Sequence, residues 1–125
     1  MGMSEFAAML RSAQADLRAI EHMPDAYAFD EQVFGFHAQQ ACEKALKAWL
    51  MHLGCKPPHV HDLRTLLQLL EDRGVVLDDA LDIAGLTQYA VRWRYGEAPA
   101  DFLVRPDAVA LCSRLVLRVA GLAKS

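Results

Sequence analysis

No apolar run in this sequence approaches the ~18 residues that a membrane-spanning helix requires, so no membrane span is expected. Its cysteines, Cys42, Cys55 and Cys112, are odd in number, widely spaced and without a Cys-x-x-Cys pair, which excludes a disulfide framework and structural-zinc spacing. With no recognisable secretory leader, the reducing cytoplasm is the expected compartment. There is no excess of positive charge: 13 Lys and Arg stand against 16 Asp and Glu, a net charge of -3. That argues against sequence-independent binding along a nucleic-acid backbone, which wants a basic surface, while leaving room for a local basic pocket. The glycine-rich phosphate loop, the Gly-x-Ser-x-Gly elbow and His-Glu-x-x-His are all missing, and with them the familiar small-enzyme motifs. No stretch keeps a period of two; Val75-Val76-Leu77 is too short to build a sheet. Internal repeats and low-complexity segments are absent as well.

What remains is a chain of 125 residues, 54% hydrophobic and 23% charged, the size of one domain (1–125) with one hydrophobic core. Ser4 can cap a first helix running to about Glu21, in which Phe6, Leu10, Ala13, Leu17 and Ile20 recur at spacings of 4, 3, 4 and 3. Met23-Pro24-Asp25 breaks it. A second helix begins near Asp30 or Glu31 and ends at Gly54, a natural left-handed residue after a helix. At ~1.5 Å per residue it is about 35 Å long, enough to serve as a spine.

The segment CKPPHV is a loop, since two prolines forbid regular structure there. His61-Asp62 supplies the entry to a third helix, Leu63 to about Arg73, with Leu63, Leu66, Leu67 and Leu70 inward and Gly74 as its stop. A fourth helical region runs from about Asp78 to Tyr95 with Ile83, Leu86, Ala90 and Trp93 as its stripe; Gly85 and Thr87 offer a break, with Thr87 recapping the second piece. GEAPAD is a loop. Pro106 opens the last helix, out to about Ala123, with Val109, Cys112, Val116 and Val119 inward. The fold class expected is therefore all-α, an antiparallel up-and-down bundle of four to five helices.

The stretch FHAQQACEKALKAWL, 36–50, carries the most information. On a helical wheel Phe34, Ala38, Ala41, Cys42, Ala45, Ala48 and Trp49 share one side, and Gln39, Gln40, Glu43, Lys44 and Lys47 the other. Glu43 and Lys47 stand four apart in the favourable acid-before-base order. The plain reading is a solvated face. Phe36 and Leu50, however, fall within the polar arc, and large apolar side chains there point to contact with a second subunit.

Five histidines occur, all before residue 62. His59-Val60-His61 has the look of a metal pair, but a His-x-His in a loop with no matching ligands is better read as a helix entry, so no metal is expected. His37 lies at the edge of the polar arc. Tyr89 to Glu97, YAVRWRYGE, mixes guanidinium and aromatic groups near a helix end, a combination that can grip a phosphate and stack on a base. The competing reading has Trp93 in the core and the arginines on the surface.

Three segments in order, FHAQQACEKALKAWL at 36–50, PPHVHDLRTLLQLL at 57–70 and YAVRWRYGEAP at 89–99, followed by a terminal amphipathic helix, resemble the HEPN domain family (higher eukaryotes and prokaryotes nucleotide-binding). The likeness runs from about residue 5 to 122. It implies a helical bundle, commonly dimeric, working around nucleotides or RNA, often as the companion of a small, separately encoded nucleotidyltransferase in a toxin–antitoxin-like pair. By resemblance, Gln40, Glu43, Lys44, Lys47, Arg94 and Tyr95 lie where the family places its binding groove, and no cofactor is implied.

Ribonuclease members of the family carry an arginine followed, four to six residues later, by a histidine. Here Arg92, Arg94 and Arg105 have no histidine after them, and Arg18 and His22 are too close together and in the wrong helix. The resemblance therefore implies a non-catalytic binding protein. Two alternatives stand beside it: a diverged metal-independent ribonuclease using Arg94 with Glu97 or a partner's histidine, and a helical oligomerisation module contacting through Phe36 and Leu50.

Overall fold

The structure, a computed structural model, describes residues 4–23, 31–94 and 105–123, with the backbone alone for 31–32 and 88–94. Its elements are α1 (Glu5–Glu21), α2 (Glu31–His52), α3 (Leu63–Glu71), α4 (Ala80–Arg94) and α5 (Arg105–Leu122). Helix α1 starts where Ser4 Oγ accepts from the Ala7 N–H at 3.1 Å, satisfying an otherwise orphaned donor. Leu10, Ala13, Leu17 and Ile20 bury, as their spacing predicts, and Phe6 packs at the edge of the core.

Helix α2 is the axis of the bundle and packs against each of the other four helices. All seven residues of its expected apolar side are buried. A helix enclosed in this way keeps only a narrow, partly exposed strip, and this overturns two expectations. Gln39 and Glu43, assigned to the wet side, are buried, and so is Leu50, only 1% exposed. Leu50 sits two residues before the end of α2, where its carbonyl accepts the Cys55 N–H at 2.9 Å in the turn that closes the helix. Its side chain therefore belongs to the core and offers nothing to a second subunit. Phe36, 46% exposed, keeps its place at the surface beside Val33.

Helix directions follow from which residues meet. Phe6 stacks on His52 while Asp16 reaches His37 and Lys44, so α1 and α2 are antiparallel. In contrast, Phe34 lies under the Arg105 guanidinium, Cys42 meets Cys112 and Trp49 lies under Arg118, so α2 and α5 run the same way. The proline-containing connection 53–62 returns along α2 to the level of Gln39, which donates to the His61 carbonyl at 2.8 Å. Up-and-down alternation then resumes through α3, α4 and α5. The α3–α4 pair is held at one end by the Leu63 N–H donating to Thr87 Oγ1 at 3.2 Å. Helix α4 is continuous. Thr87 does not recap it; its hydroxyl instead serves the neighbouring helix.

The inner face of α5 is wider than the expected stripe: Ala108, Leu111 and Leu115 join Cys112, Val116 and Val119, while Val109 is only half-buried. The thiols of Cys42 and Cys112 stand 3.5 Å apart inside the core. The hydrogen bond between them, reinforced by burial, pushes the Cys42 thiol well above its usual range. It stays protonated and unreactive, a small core residue as its position on the apolar face predicts.

Two glycines end helices for the same reason. Gly54 and Gly74 have φ of 82° and 84°. Gly54 donates to Met51 and Cys55 to Leu50; Gly74 donates to Glu71 and Val75 to Leu70. These paired bonds satisfy the last carbonyls and need a residue in the left-handed region. Gly85 differs, being helical and open to solvent. Gly54→Ala is expected to cost about 1–2 kcal/mol from backbone strain alone, since nothing lies within 4 Å of an added Cβ. Gly85→Ala is expected to stabilise by about 1 kcal/mol. Thermal unfolding of the two variants beside the parent checks both signs.

Candidate functional site

The polar residues of α2 are organised by two carboxylates. The first is Glu43, buried at the centre of the helix. Its Oε1 accepts from Gln39 Nε2 at 3.0 Å, Gln40 Nε2 at 3.3 Å and His61 Nδ1 at 3.1 Å; its Oε2 accepts from Lys47 Nζ at 3.0 Å. Gln40 Nε2 also donates to Gln39 Oε1 at 2.8 Å, closing the network. The second is Asp16 on α1, whose Oδ2 accepts from Lys44 Nζ at 2.7 Å and whose Oδ1 accepts from His37 Nδ1 at 2.9 Å.

The four α2 residues expected to form one groove wall are thus divided. Gln40, Glu43 and Lys47 gather on the side of the α2–α3 connection. Lys44 turns towards α1. Both lysines are matched to carboxylates that are almost wholly withdrawn from water. Arg94 is the last residue of α4, two turns beyond Thr87; its side chain and Tyr95 lie outside the described residues. Arg105 is buried beneath α1 and α2, with one guanidinium N–H donated to the Met23 carbonyl at 2.9 Å.

Three participants escaped the sequence reading. Asp16 lies on the same face of α1 as Ala13 and Ile20; a carboxylate inside an apolar stripe was its signal. His37 and His61 carried no such signal, because their partners lie 21 and 18 residues away in the chain. His61 was expected to enter α3, but Asp62 does the capping, with Oδ1 accepting the Arg64 N–H at 3.0 Å. That frees the His61 imidazole to reach Glu43.

A carboxylate only accepts, so each imidazole presents Nδ1–H to its partner. His61 is held in this way with 83% of its side chain exposed. Burial alone raises the pKa of Glu43. Hydrogen bonds from Gln39, Lys47 and His61, with the Lys47 charge, more than offset this and leave it below its ordinary value of 4.5. Among the described residues no group of three or more His, Cys, Asp or Glu is placed to hold a metal ion.

The arrangement of five helices, with its central polar helix and the His-Asp entry to α3, is what the sequence resemblance predicts, and the profile of the HEPN domain matches residues 6–119. The chain belongs to the HEPN domain family. Neither the comparison with curated proteins nor that with solved structures found a match. In this HEPN protein the Glu-Lys stretch of α2 and the His-Asp-Leu entry to α3 are one physical unit, joined through the Glu43 carboxylate.

Removing one partner of a buried ion pair leaves the other charge uncompensated. Glu43→Ala is therefore expected to destabilise by about 3 kcal/mol, against about 0.5 kcal/mol for His61→Ala at the exposed end. Because the folded-state pKa of Glu43 is depressed, its contribution is present above its unfolded value and is lost as pH falls through the folded one. Denaturant titrations at neutral pH and at successive steps below 4.5 are expected to show a loss of stability that is smaller in Glu43→Gln.

Proposed function

We propose that this HEPN protein is a non-catalytic recognition subunit, the companion of a small, separately encoded nucleotidyltransferase in a toxin–antitoxin-like pair, able to engage nucleotide or RNA beside α2 and the end of α4. The observation that carries this reading is the neutralised state of the α2 flank. Lys44 and Lys47 each face a buried carboxylate, so neither is poised as a bare phosphate clamp. Recognition on such a flank works through hydrogen-bonding edges such as Gln40 and through apolar contact. Val33 and Phe36 supply the apolar part at the surface of α2. Arg94 and Tyr95 are the groups assigned to phosphate and base.

Diverged ribonuclease activity is a second reading, and one observation favours it: His61 is an exposed imidazole whose tautomer is set by a buried carboxylate, the arrangement a proton acceptor needs. The chain nevertheless lacks the arginine-to-histidine spacing of the ribonuclease members.

Co-expression with the product of a neighbouring nucleotidyltransferase gene is expected to yield a stable complex that Phe36→Ser weakens. Titration with ATP, GTP and short RNAs is expected to show binding reduced about tenfold by Arg94→Ala, the loss of one charge-assisted hydrogen bond. Absence of both the complex and the binding would sink the proposal. RNA cleavage that disappears in both His61→Ala and Arg94→Ala would replace it with the ribonuclease reading.

A further inference from the structure

His61 is held on one edge of its ring and open on the other. Nδ1 lies 3.1 Å from Glu43 Oε1 and 3.2 Å from Oε2, while 83% of the side chain is exposed. Nε2 has no partner among the described residues. In a neutral ring with its proton on Nδ1, the lone pair is on Nε2. The carboxylate behind the ring is only 4% exposed, and its Oε2 also takes Lys47 Nζ at 3.0 Å. A carboxylate fixed in this way stabilises positive charge that develops on an imidazole. Asp62, the next acid in the chain, does not compete for the ring. Its oxygens accept from the Arg64 N–H at 3.0 Å and the Thr65 hydroxyl at 3.5 Å.

The other four histidines each lack one part of this arrangement. His37 has a carboxylate, Asp16, at 2.9 Å, but it is only 30% exposed and the Phe36 ring stands edge-on to it at 5.3 Å. His22 is exposed, yet its Nδ1 meets the Arg18 carbonyl at 2.7 Å, which carries no charge to offset one on the ring. His52 is exposed and packs against Phe6. His59 is exposed and makes no hydrogen bond among the described residues. Exposure and a buried carboxylate therefore coincide at His61 alone.

We infer that His61 is a phosphoryl-acceptor site, modified at Nε2 by a donor with a phosphorus–nitrogen bond. The bond broken and the bond formed are of one kind, so the transfer asks for little beyond an exposed nucleophile whose charge is offset. The Nε2 lone pair attacks phosphorus, and the donor's phosphorus–nitrogen bond breaks with its electron pair leaving on the amine. From zwitterionic phosphoramidate the leaving group is ammonia, already carrying its three protons, so no proton has to move. The ring keeps Nδ1–H and becomes positively charged against Glu43. The product places about -1.5 to -2 of charge beside a flank whose lysines are already neutralised. This modification goes beyond the proposed recognition role and does not depend on it.

Incubation of the full chain with phosphoramidate at mildly alkaline pH tests it, with tandem mass spectrometry to locate the label and circular dichroism to check folding. The folded parent is expected to take one phosphoryl group, at His61, about tenfold or more faster than at any other histidine. In urea, where no carboxylate is held against a ring, the five histidines are expected to react alike. His61→Gln is expected to lose the fast site. Glu43→Gln retains an oxygen able to accept from Nδ1 but lacks the charge, and is expected to slow labelling of His61 about tenfold. If that variant does not fold, the comparison among histidines within the folded parent decides without it. An unlabelled parent, even labelling of its exposed histidines, preference for a histidine other than His61, or a folded Glu43→Gln that reacts at the parent rate overturns the inference.

Discussion

A carboxylate held inside a helical core governs this molecule. Glu43 lies on the helix that touches all the others, and its carboxylate is almost wholly withdrawn from water. The charge persists there because Lys47, Gln39, Gln40 and His61 all donate to it. Through His61 and Gln39 the carboxylate fixes the return of the chain along α2. That places Leu63 against Thr87 and so sets α3 on α4. Such a network is weak evidence for net stability, since two charges have been taken out of water. Its consequence is register: α3 can begin at only one level of α2.

The same network shapes what the surface can recognise. With its lysines matched to Glu43 and Asp16, the α2 flank presents little net charge. On the proposed reading, specificity there comes from hydrogen-bonding edges and from the ring of Phe36 rather than from general attraction to phosphate. This suits a HEPN protein without the ribonuclease histidine. Among the described residues the exposed large apolar side chains divide between two regions, Val33 and Phe36 on α2, and Val76, Leu81 and Leu117 around α3, α4 and α5.

Local physics was legible from residue order. The Ser4 cap, the two glycine stops and the stripes of α1 and α3 depend on neighbours three to five residues away. The HEPN resemblance drew on the same local segments. What misled was the wheel of α2: it separates apolar from polar residues but does not say how many sides are covered. Leu50 and Glu43 were therefore assigned to a surface that the other four helices remove. Thr87 was read as a cap for its own helix for a related reason, since its true partner, the Leu63 N–H, is 24 residues away.

The sequence by itself determined the helices, their ends, the family and the absence of the ribonuclease pair, because each rests on short spacings or on residue identity. Tertiary structure alone decided that α2 and α5 run in the same direction. It also decided that Lys44 and Lys47 answer different carboxylates and that His61 completes the site around Glu43. Those outcomes depend on contacts between residues far apart in the chain, and the cost of leaving a buried charge unpaired selects among them only once the helices have packed.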